Sequence, residues 1–398
     1  MTVQSSTAPR PGPLQGIRVI DFTAMLAGPH CARLMADLGA EVIKIEGLEG
    51  DLIRSRPPLR DGNSTYFGAL NCGKKSLAIN LKTKAAKDII YRLTKVSDVV
   101  VENFRPGVMA RLGFDYATLS KHNPKLVYCS ISGYGQTGSG ATRAAYAPII
   151  HAASGFDAAN LTYQTGQDTP ASTGIFTADI LSGAYAFGAI QAALLHRERT
   201  GEGQAVDVAL MDSMLNLLVF ECQEAQFPSQ RPRPVYVPMK STDGHVIIAP
   251  ISQKNFEQMA EAMQQLELTA DARFATGSAR VEHWNELMAV MEQWTRRHSS
   301  AEIESIMDAN GVPCSRFVTV ADAMRDTQLT ERGSLSWVKD AAGEFIVPNA
   351  PFQFTVPTAA GPIVAALGAD NTNVLSDILG MSPLEIDALQ EQGVLSNR

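Results

Sequence analysis

The first third of the chain alternates short apolar runs with amphipathic segments, which is the pattern of strands alternating with helices. Residues 17–22 (IRVIDF) and 40–46 (AEVIKIE) predict strands, and HCARLMADL between them predicts a helix that begins near Pro29 and ends at Gly39. A strand, a helix and a strand in this order are typical of a βαβ unit. This part of the chain therefore predicts a parallel sheet.

A second cycle of the same pattern follows. It consists of the strand SLAINL, the helix TKAAKDIIYRLTKV, the strand DVVVENF, a short helix near Val108 to Leu112 and the strand LVYCSIS. The fold class predicted is α/β, with a Rossmann-like large domain built on a parallel sheet. Neither the dinucleotide fingerprint GxGxxG nor the P-loop pattern follows any of these strands, so nicotinamide, flavin and ATP chemistry are not expected.

The second half predicts a smaller α+β domain. A proline-rich stretch, FPSQRPRPVYVP, precedes the strand-like STDGHVIIAP and predicted helices at 253–264, 284–297 and 301–310. From about Pro313 the sequence predicts irregular segments with a turn at Ala342 and Gly343, and then two terminal helices, DNTNVLSDILG and SPLEIDALQEQGV. The predicted organisation is a flexible tail at 1–13, the large domain at 14–215, a linker at 216–236, the small domain at 237–312, a linker at 313–345, and a segment completing the large domain at 346–398.

Composition limits the classes of partner. The 398 residues carry a net charge of −7, and the lysines and arginines are dispersed, which argues against nucleic acid or an anionic membrane as partner. The longest uncharged apolar runs are shorter than the ~18 to 20 residues of a membrane span, and the beginning MTVQSSTAPRPGP has no apolar signal region. We expect a soluble, cytoplasmic protein with no membrane partner.

The cysteines are scattered without CxxC or other metal-ligand spacing, which favours five reduced thiols and neither disulfides nor a metal site. They are Cys31, Cys72, Cys129, Cys222 and Cys314.

Asp179 is the only charged residue between Ile175 and Leu195, in the sequence IFTADILSGAYAFGAIQAALL. Burying an ionised carboxylate in so apolar a helix costs roughly several kcal/mol of folding free energy, unless the group is hydrogen-bonded, paired or functional. We interpret it as a nucleophile about one turn into the helix, with Ser172 or Thr173 as the N-cap residue. The alternative is that Asp179 pairs with a buried arginine or caps a loop.

Basic residues in loops and at strand ends of the first domain are candidates for binding an anionic ligand. The turn Asn103–Gly107 (NFRPG) follows an apolar strand directly, so it should lie at the carboxyl edge of the sheet, although Pro and Gly are also ordinary turn residues. For each basic residue alone, a solvated surface position is the alternative. The candidates are Lys74, Lys75, Lys82, Arg105 and Arg111.

Several segments, taken together, resemble the class III CoA-transferases. This is the family of formyl-CoA transferase, bile-acid and carnitine CoA-transferases and α-methylacyl-CoA racemase. The resemblance runs from about Leu14 to near the C-terminus and is most specific in the first 210 residues. It rests on LQGIRVIDFTAMLAGPHCARLMADLGAEVIKIEGLEGDLIR, NCGKKSLAINLK, VVENFRPGVMARLG, SISGYGQTG, TADILSGAYAFGAIQAALLHRERTGEGQAVDVALMDS and GVPCSRFVTVADAM.

The resemblance implies more than the residues show by themselves. Members are interlocked homodimers, each chain having a Rossmann-like large domain and a small domain, and they hold no permanent cofactor because the coenzyme A thioester is a substrate. The catalytic aspartate falls on Asp179. The implied CoA-contacting positions are Leu26, Ala27, Ile79, Lys82, Asn103, Phe104, Arg105, Arg111 and Tyr146, the last followed by Ala147.

For activity, the resemblance implies transfer of CoA from an acyl-CoA donor to a small carboxylic acid through an aspartyl anhydride and an aspartyl-CoA thioester, and succinyl-CoA is the expected donor. Formyl-CoA transferases carry a glutamine where this chain has Leu26, and a glycine-rich loop where it has VPMKSTDG. Formate and oxalate are therefore not the expected substrates.

Two alternatives remain open at this stage. An α-methylacyl-CoA racemase needs a histidine and an aspartate as acid and base, but Tyr146 stands at the position of that histidine, and His151 lies five residues further on. The other alternative is a protein that binds CoA esters without turnover.

Overall fold

The computed structural model describes residues 12–164, 166–170, 173–230, 233–356, 358 and 361–396. The chain forms two compact units. The first consists of the described residues of Met1–Gln226 and Thr330–Arg398, and the second is formed by those of Phe227–Leu329.

The strands in chain order are β1 (Arg18–Asp21), β2 (Glu41–Glu46), β3 (Leu59–Arg60), β4 (Asn63–Ser64), β5 (Lys75–Ala78), β6 (Val99–Glu102), β7 (Val127–Ser132), β8 (Ala205–Ala209), β9 (Met239–Lys240), β10 (His245–Ile248), β11 (Cys314–Arg316), β12 (Leu335–Asp340) and β13 (Gly343–Pro348).

The α-helices of the first unit up to Gln226 are α1 (Ala27–Asp37), α2 (Thr65–Asn71), α3 (Lys84–Lys95), α4 (Val108–Leu112), α5 (Tyr116–Leu119), α6 (Ala147–Ala153), α7 (Phe156–Thr162), α8 (Thr177–Thr200), α9 (Leu210–Leu217) and α10 (Val219–Glu224). Those that follow are α11 (Gln253–Ala262), α12 (Gly277–Glu282), α13 (Trp284–Thr295), α14 (Ser300–Ala309), α15 (Val320–Ala323), α16 (Thr327–Glu331), α17 (Asn371–Asn373) and α18 (Pro383–Glu391). Short 3₁₀ turns lie at Leu52–Ser55 and Leu266–Thr269, and a π-helical turn at Val374–Ile378.

The first unit is built on a six-stranded parallel sheet in the order β5-β2-β1-β6-β7-β8. The chain winds outward from β1 in one direction and then returns to continue from β6 in the other. This is the doubly wound order, in which ligands bind outside the carboxyl ends of the strands where the winding direction reverses. The predicted α/β class and parallel sheet are confirmed, and the reversal lies between β1 and β6.

The strands read as near-continuous apolar runs because both faces of the sheet are covered. Val19 and Val101 point into a core beneath α1 and α8, whereas Ile20 and Val100 point into a second core beneath α3. Residues from the end of the chain, among them Leu375, Ile386 and Leu395, also pack into this second core.

A hairpin near the end of the chain differs from the sequence prediction. The segment after Pro313 was expected to be irregular, yet β12 and β13 pair in antiparallel register on either side of the turn at Ala342 and Gly343. Val338 and Val347 are buried against Phe67 of α2, whereas Trp337 on the opposite face is exposed. The predicted turn is present, but the strands depend on a helix more than 260 residues earlier.

The second unit contains the antiparallel sheet β11-β10-β9 and the helices α11 to α14. The predicted hairpin entry and the three predicted helices are confirmed to within a few residues. Its core is formed by one cluster that includes Met239, Val246, Phe256, Met291 and Trp294.

The five cysteines are free thiols in the structure. Cys31, Cys72 and Cys129 are buried, and the remaining two are half-buried.

Helix α8 contacts α1 closely because Gly183 has no side chain. A Cβ atom at this position would lie 2.5 Å from the backbone carbonyl oxygen of Ala27 and 3.2 Å from the ring of His30. Within the described part of the chain, α8 is also the one helix with the length and composition to cross a membrane, although core helices of soluble proteins share these features. Its residues Ala186, Ile190 and Ala193 are buried in the first core.

Two glycines of α8 should respond oppositely to alanine. Gly183→Ala should lower the free energy of unfolding by about 1–3 kcal/mol, because the new methyl group collides with backbone. Gly188→Ala should raise it by about 0.5–1 kcal/mol, because the new methyl group has no atom of its own chain within 4 Å and alanine favours a helix. Denaturant melts of both variants measure this, and equal stabilisation by the two substitutions would contradict the close contact.

Candidate active site

The loops that follow β1 and β6 meet at the reversal point of the sheet. Asn103, directly after β6, binds the backbone of Ala24 in the loop after β1 with both ends of its amide. Its Oδ1 accepts from the N–H of Ala24 at 2.9 Å, and its Nδ2 donates to the carbonyl oxygen of Ala24 at 2.8 Å. The predicted Asn103 therefore fixes the shape of the loop that leads into α1.

This loop has an unusual backbone. Met25 has a φ of +68°, a conformation that non-glycine residues rarely adopt and that surrounding contacts must maintain. Immediately after it, Leu26 is the N-cap residue of α1 and Ala27 is its first residue. Both side chains are buried, so their predicted contact with CoA would have to involve mainly backbone atoms.

Buried ion pairs support the loop from below. Lys74 pairs with Asp21 at 2.9 Å, and Lys44 pairs with Asp51 at 3.0 Å. Lys44 also donates to the carbonyl oxygen of Thr23 at 2.7 Å, inside the loop itself. Burial alone would raise the pKa of Asp21, but Lys74 and Lys44 outweigh it and hold this pKa below its usual value.

Two of the predicted anion-binding residues are used elsewhere. The ammonium group of Lys74 donates to Asp21, to the carbonyl oxygen of Pro29 at 3.0 Å and to Asn71 at 2.9 Å, so all three of its protons are occupied. Lys75 is the first residue of β5, so it lies at the amino ends of the strands rather than at the carboxyl ends, and it pairs with Glu41 at 2.6 Å. The prediction that Lys74 and Lys75 bind an anionic ligand is therefore wrong.

The other three basic candidates are exposed. Lys82, Arg105 and Arg111 form no ion pair with any described residue, and each lies in or after a loop at the carboxyl edge of the sheet. The N–H of Phe104 donates to the carboxyl group of Glu102 at 2.8 Å, which fixes the start of the NFRPG turn. Burial raises the pKa of Glu102 to about 7.

Two further predicted positions differ in exposure. Ile79 is completely buried in the second core and pairs with Leu395 in an isolated β-bridge, so only its backbone could reach a ligand. Tyr146 is the N-cap residue of α6 and 66% exposed, whereas Ala147 beside it is buried. Helix α6 packs against α8.

Asp179 is the third residue of α8. Helix α1 follows the carboxyl end of β1. Helix α8 ends before the amino end of β8, so it begins at the opposite side. Both helices therefore begin at the carboxyl edge of the sheet. One helical turn after Asp179, Gly183 contacts the first turn of α1 at Ala27. Residues four apart lie on one helix face, so the carboxyl group of Asp179 projects from the face of α8 that meets Ala27.

The carboxyl group of Asp179 is half-buried and has no hydrogen bond or ion pair with the described residues. Burial raises its pKa to about 6. Burial, assisted by Lys74 and Arg33, also lowers the pKa of His30 to about 4, so this neighbouring ring of α1 is neutral near pH 7 and supplies no counter-charge. The alternative that Asp179 pairs with a buried arginine has no support in the described structure.

The predicted N-cap of α8 is wrong. The N-cap residue is Phe176, which provides no side-chain hydrogen bond, and the hydroxyl of Thr173 accepts instead from the N–H of Ile175. Ser172 lies outside the described residues. The N–H of Ala178 in the first turn donates to Nε2 of His151, on α6, at 3.1 Å. The acceptor thus comes from 27 residues earlier, a distance that local capping patterns cannot reveal.

The sequence interpretation also missed Tyr66 of α2. Burial raises the pKa of its phenol, and the next largest contribution is the negative charge of Asp179, which places the two side chains in electrostatic range. Tyr66 stays protonated near neutral pH and is a hydrogen-bond donor. In the sequence, Tyr66 lies in the ordinary segment TYFGAL, and no motif there indicates a functional tyrosine.

Within the described ranges, no group of three or more histidine, cysteine, aspartate or glutamate side chains is arranged to hold a metal ion. The candidate site therefore consists of backbone loops, exposed cations and one unpaired carboxylate.

Comparison with known proteins identifies relatives over nearly the whole chain. The chain is 35% identical to the succinate–glutarate CoA-transferase of Agrobacterium fabrum, over 81% of this chain and 84% of that protein. It is 34% identical to the succinyl-CoA:mesaconate CoA-transferase of Haloarcula marismortui, over 88% and 92%. A solved CAIB/BAIF family protein from Brucella suis superposes with a TM-score of 0.79 at 32% identity, covering 93% of this chain and all of that one.

The family model for CoA-transferase family III matches residues 14–371, a range that contains the six-stranded sheet, the loops at its carboxyl edge and Asp179. The resemblance seen in the sequence is thereby confirmed, and the chain belongs to CoA-transferase family III.

Proposed function

We propose that this CoA-transferase moves CoA from succinyl-CoA to a small organic carboxylate, with Asp179 as the nucleophile. The observation that carries the proposal is the unpaired carboxyl group of Asp179, half-buried at the beginning of α8 beside the first turn of α1. A structural carboxylate at such a depth would be expected to have a partner. The positive end of the helix dipole favours its ionised form.

In the first half-reaction, the carboxylate of Asp179 attacks the thioester carbonyl carbon of succinyl-CoA. The carbon–sulfur bond breaks, CoA leaves as a thiolate, and a mixed anhydride joins the succinyl group to Asp179. The thiolate then attacks the carbonyl carbon of the aspartyl group, which forms an aspartyl-CoA thioester and releases succinate.

The second half-reaction reverses these steps with the acceptor. Its carboxylate attacks the aspartyl thioester and displaces the CoA thiolate, and the thiolate then attacks the acceptor's carbonyl carbon in the new anhydride. Acceptor-CoA forms and Asp179 returns as a carboxylate. No proton is gained or lost overall, so the site needs charge stabilisation and close placement of the reactants rather than an acid and base pair.

Three exposed cations are suited to the phosphates of CoA. Lys82, Arg105 and Arg111 lie at the carboxyl edge of the sheet and form no ion pair in the described part of the chain. We assign the phosphates to these residues, and the rest of CoA to the loop at Leu26 and Ala27 and to the turn at Asn103 and Phe104. Ile79 would contribute through its backbone and Tyr146 through its exposed ring.

The acceptor is assigned by chemical class. The relatives from Agrobacterium fabrum and Haloarcula marismortui are named for succinate or succinyl-CoA together with glutarate or mesaconate, which are small dicarboxylates. We therefore propose a dicarboxylate of four to six carbons as acceptor.

The racemase alternative is less well supported. At the position of the racemase histidine, this chain has Tyr146, which is exposed. His151 does not replace it, because its Nε2 already accepts the N–H of Ala178. With Nε2 used as an acceptor, the proton of the neutral ring is on Nδ1, so no nitrogen lone pair remains to accept a proton from the acyl α-carbon.

We also propose that the protein is a homodimer and that a second copy covers the exposed surface of α8, α9 and α10. Large apolar side chains are exposed there, including Ile175 at 76% and Val219 at 69%. Monomeric soluble proteins rarely leave many such residues exposed on neighbouring helices. Others are Ile180, Tyr185, Leu195, Leu215 and Leu217.

Asp179→Asn should abolish CoA transfer. With succinyl-CoA as donor and glutarate or mesaconate as acceptor, kcat should fall on the order of 10³-fold or more, because an amide cannot form the anhydride. Wild-type protein incubated with succinyl-CoA and then hydroxylamine should carry a hydroxamate on the peptide containing Asp179. Chromatography of the acyl-CoA products and peptide mass spectrometry measure both effects.

Asp212→Asn is the matched control, since Asp212 also lies in the first turn of a helix but is exposed. It should leave kcat within about twofold. Transfer that survives Asp179→Asn would overturn the nucleophile. Transfer to oxalate from formyl-CoA, with none to the four- to six-carbon acids, would overturn the substrate class.

The rate of the first half-reaction should depend on pH through Asp179. Its pKa is raised to about 6, so the reactive carboxylate is replaced by the unreactive acid as pH falls through about 6. The single-turnover rate of aspartyl-CoA formation without acceptor should be constant above pH 7 and fall about tenfold per unit below pH 5.5. A rate unchanged down to pH 5 would contradict the burial of this group.

Sedimentation equilibrium at micromolar concentration should give twice the chain mass of 42.8 kDa. A single species at the monomer mass would show that the apolar surface of α8 to α10 has another role.

A further inference from the structure

His151 and the first turn of α8 are joined by a hydrogen bond that the chemistry above does not use. The Nε2 atom of His151 accepts from the backbone N–H of Ala178 at 3.1 Å, and both residues are fully buried. Ala178 directly precedes Asp179. This N–H belongs to the peptide unit that joins Thr177 to Ala178, so the bond holds the backbone of the helical turn from which the proposed nucleophile projects.

The direction of this bond fixes the tautomer of His151. A backbone N–H can only donate, so Nε2 must carry a lone pair and the proton of the neutral ring is on Nδ1. Nδ1 has no hydrogen-bond partner among the described residues. Burial lowers the pKa of His151, and Asp157 of α7 opposes this shift less strongly, so the neutral ring is favoured.

Packing holds the ring in place. His151 lies on α6, which packs against both α7 and α8, and its ring centroid is 5.3 Å from that of Phe156 on α7. The orientation of the imidazole is thus determined by the helix pair rather than by solvent.

Without His151, the beginning of α8 would lack this acceptor. The first N–H groups of a helix have no partner within the helix, and the N-cap residue Phe176 offers no side-chain acceptor. The N–H of Ala178 is buried, so leaving it without an acceptor would carry the cost of its desolvation.

We propose that His151 is a positioning residue that orients Asp179 for attack by accepting the N–H of Ala178. The inference rests on the proposed role of Asp179 as nucleophile. Only the acceptor atom is required, and an acid or base function is not. A side chain that places an acceptor at the same distance from the backbone should therefore replace the histidine.

The variants His151→Gln and His151→Met separate these roles. The Oε1 of glutamine is four bonds from Cα, as is Nε2 of histidine, whereas methionine has an apolar methyl group there. We expect His151→Met to lower kcat about ten- to a hundredfold with KM for succinyl-CoA within twofold, because a misplaced nucleophile slows the chemical step. His151→Gln should retain kcat within about threefold of the wild type. If His151→Met does not fold, His151→Asn, whose acceptor is one bond too short, replaces it.

A fall in thermal stability for His151→Met with unchanged kcat would reduce His151 to a structural residue and overturn the proposal. Loss of turnover in the folded His151→Gln variant, as severe as in Asp179→Asn, would indicate a chemical role and would also overturn it. Formation of the hydroxamate on Asp179 in the wild type tests the proposed nucleophile independently of His151. Labelling of Asp179 in the wild type, with equally fast labelling of His151→Met, would refute the positioning role alone.

Discussion

The unpaired carboxylate of Asp179 is the constraint around which the first unit is organised. A half-buried carboxylate without a counter-charge is unfavourable, and burial accordingly raises its pKa to about 6. The surrounding structure provides the beginning of a 24-residue helix, the close contact at Gly183 and the hydrogen bond that the N–H of Ala178 donates to His151. Each of these holds the beginning of α8 in place without neutralising the carboxyl group, as the proposed role of Asp179 as nucleophile would require.

Features written in local sequence could be predicted. The strands around Val19 and Val100 are apolar on both faces because helices cover both sides of the sheet, and this gives continuous runs that are easily recognised. Asp179 was identifiable because burial of a charge leaves a visible exception in an apolar helix. The turn at Asn103 was identifiable because it follows such a strand directly.

Features that depend on distant residues could not be predicted. Lys74 was a candidate phosphate ligand because no residue near it in the sequence indicates its ion pair with Asp21, which lies 53 residues earlier. Thr173 looked like an N-cap, but the acceptor for the first turn of α8 comes from α6. The hairpin of β12 and β13 was missed because only one of its faces is buried, against α2, so its sequence has no continuous apolar run.

The buried ammonium groups beneath the loop of Thr23 have a further consequence. Acyl-CoA thioesters and anhydrides acylate free amines, and an enzyme that handles them is exposed to modification of its own lysines. The Nζ atom of Lys74 is surrounded by three acceptors, and that of Lys44 is held by Asp51 and the carbonyl oxygen of Thr23. Both side chains are also buried, which keeps their nitrogen atoms away from a reactive acyl group. The same bonds that shape the loop therefore shield its lysines from self-acylation.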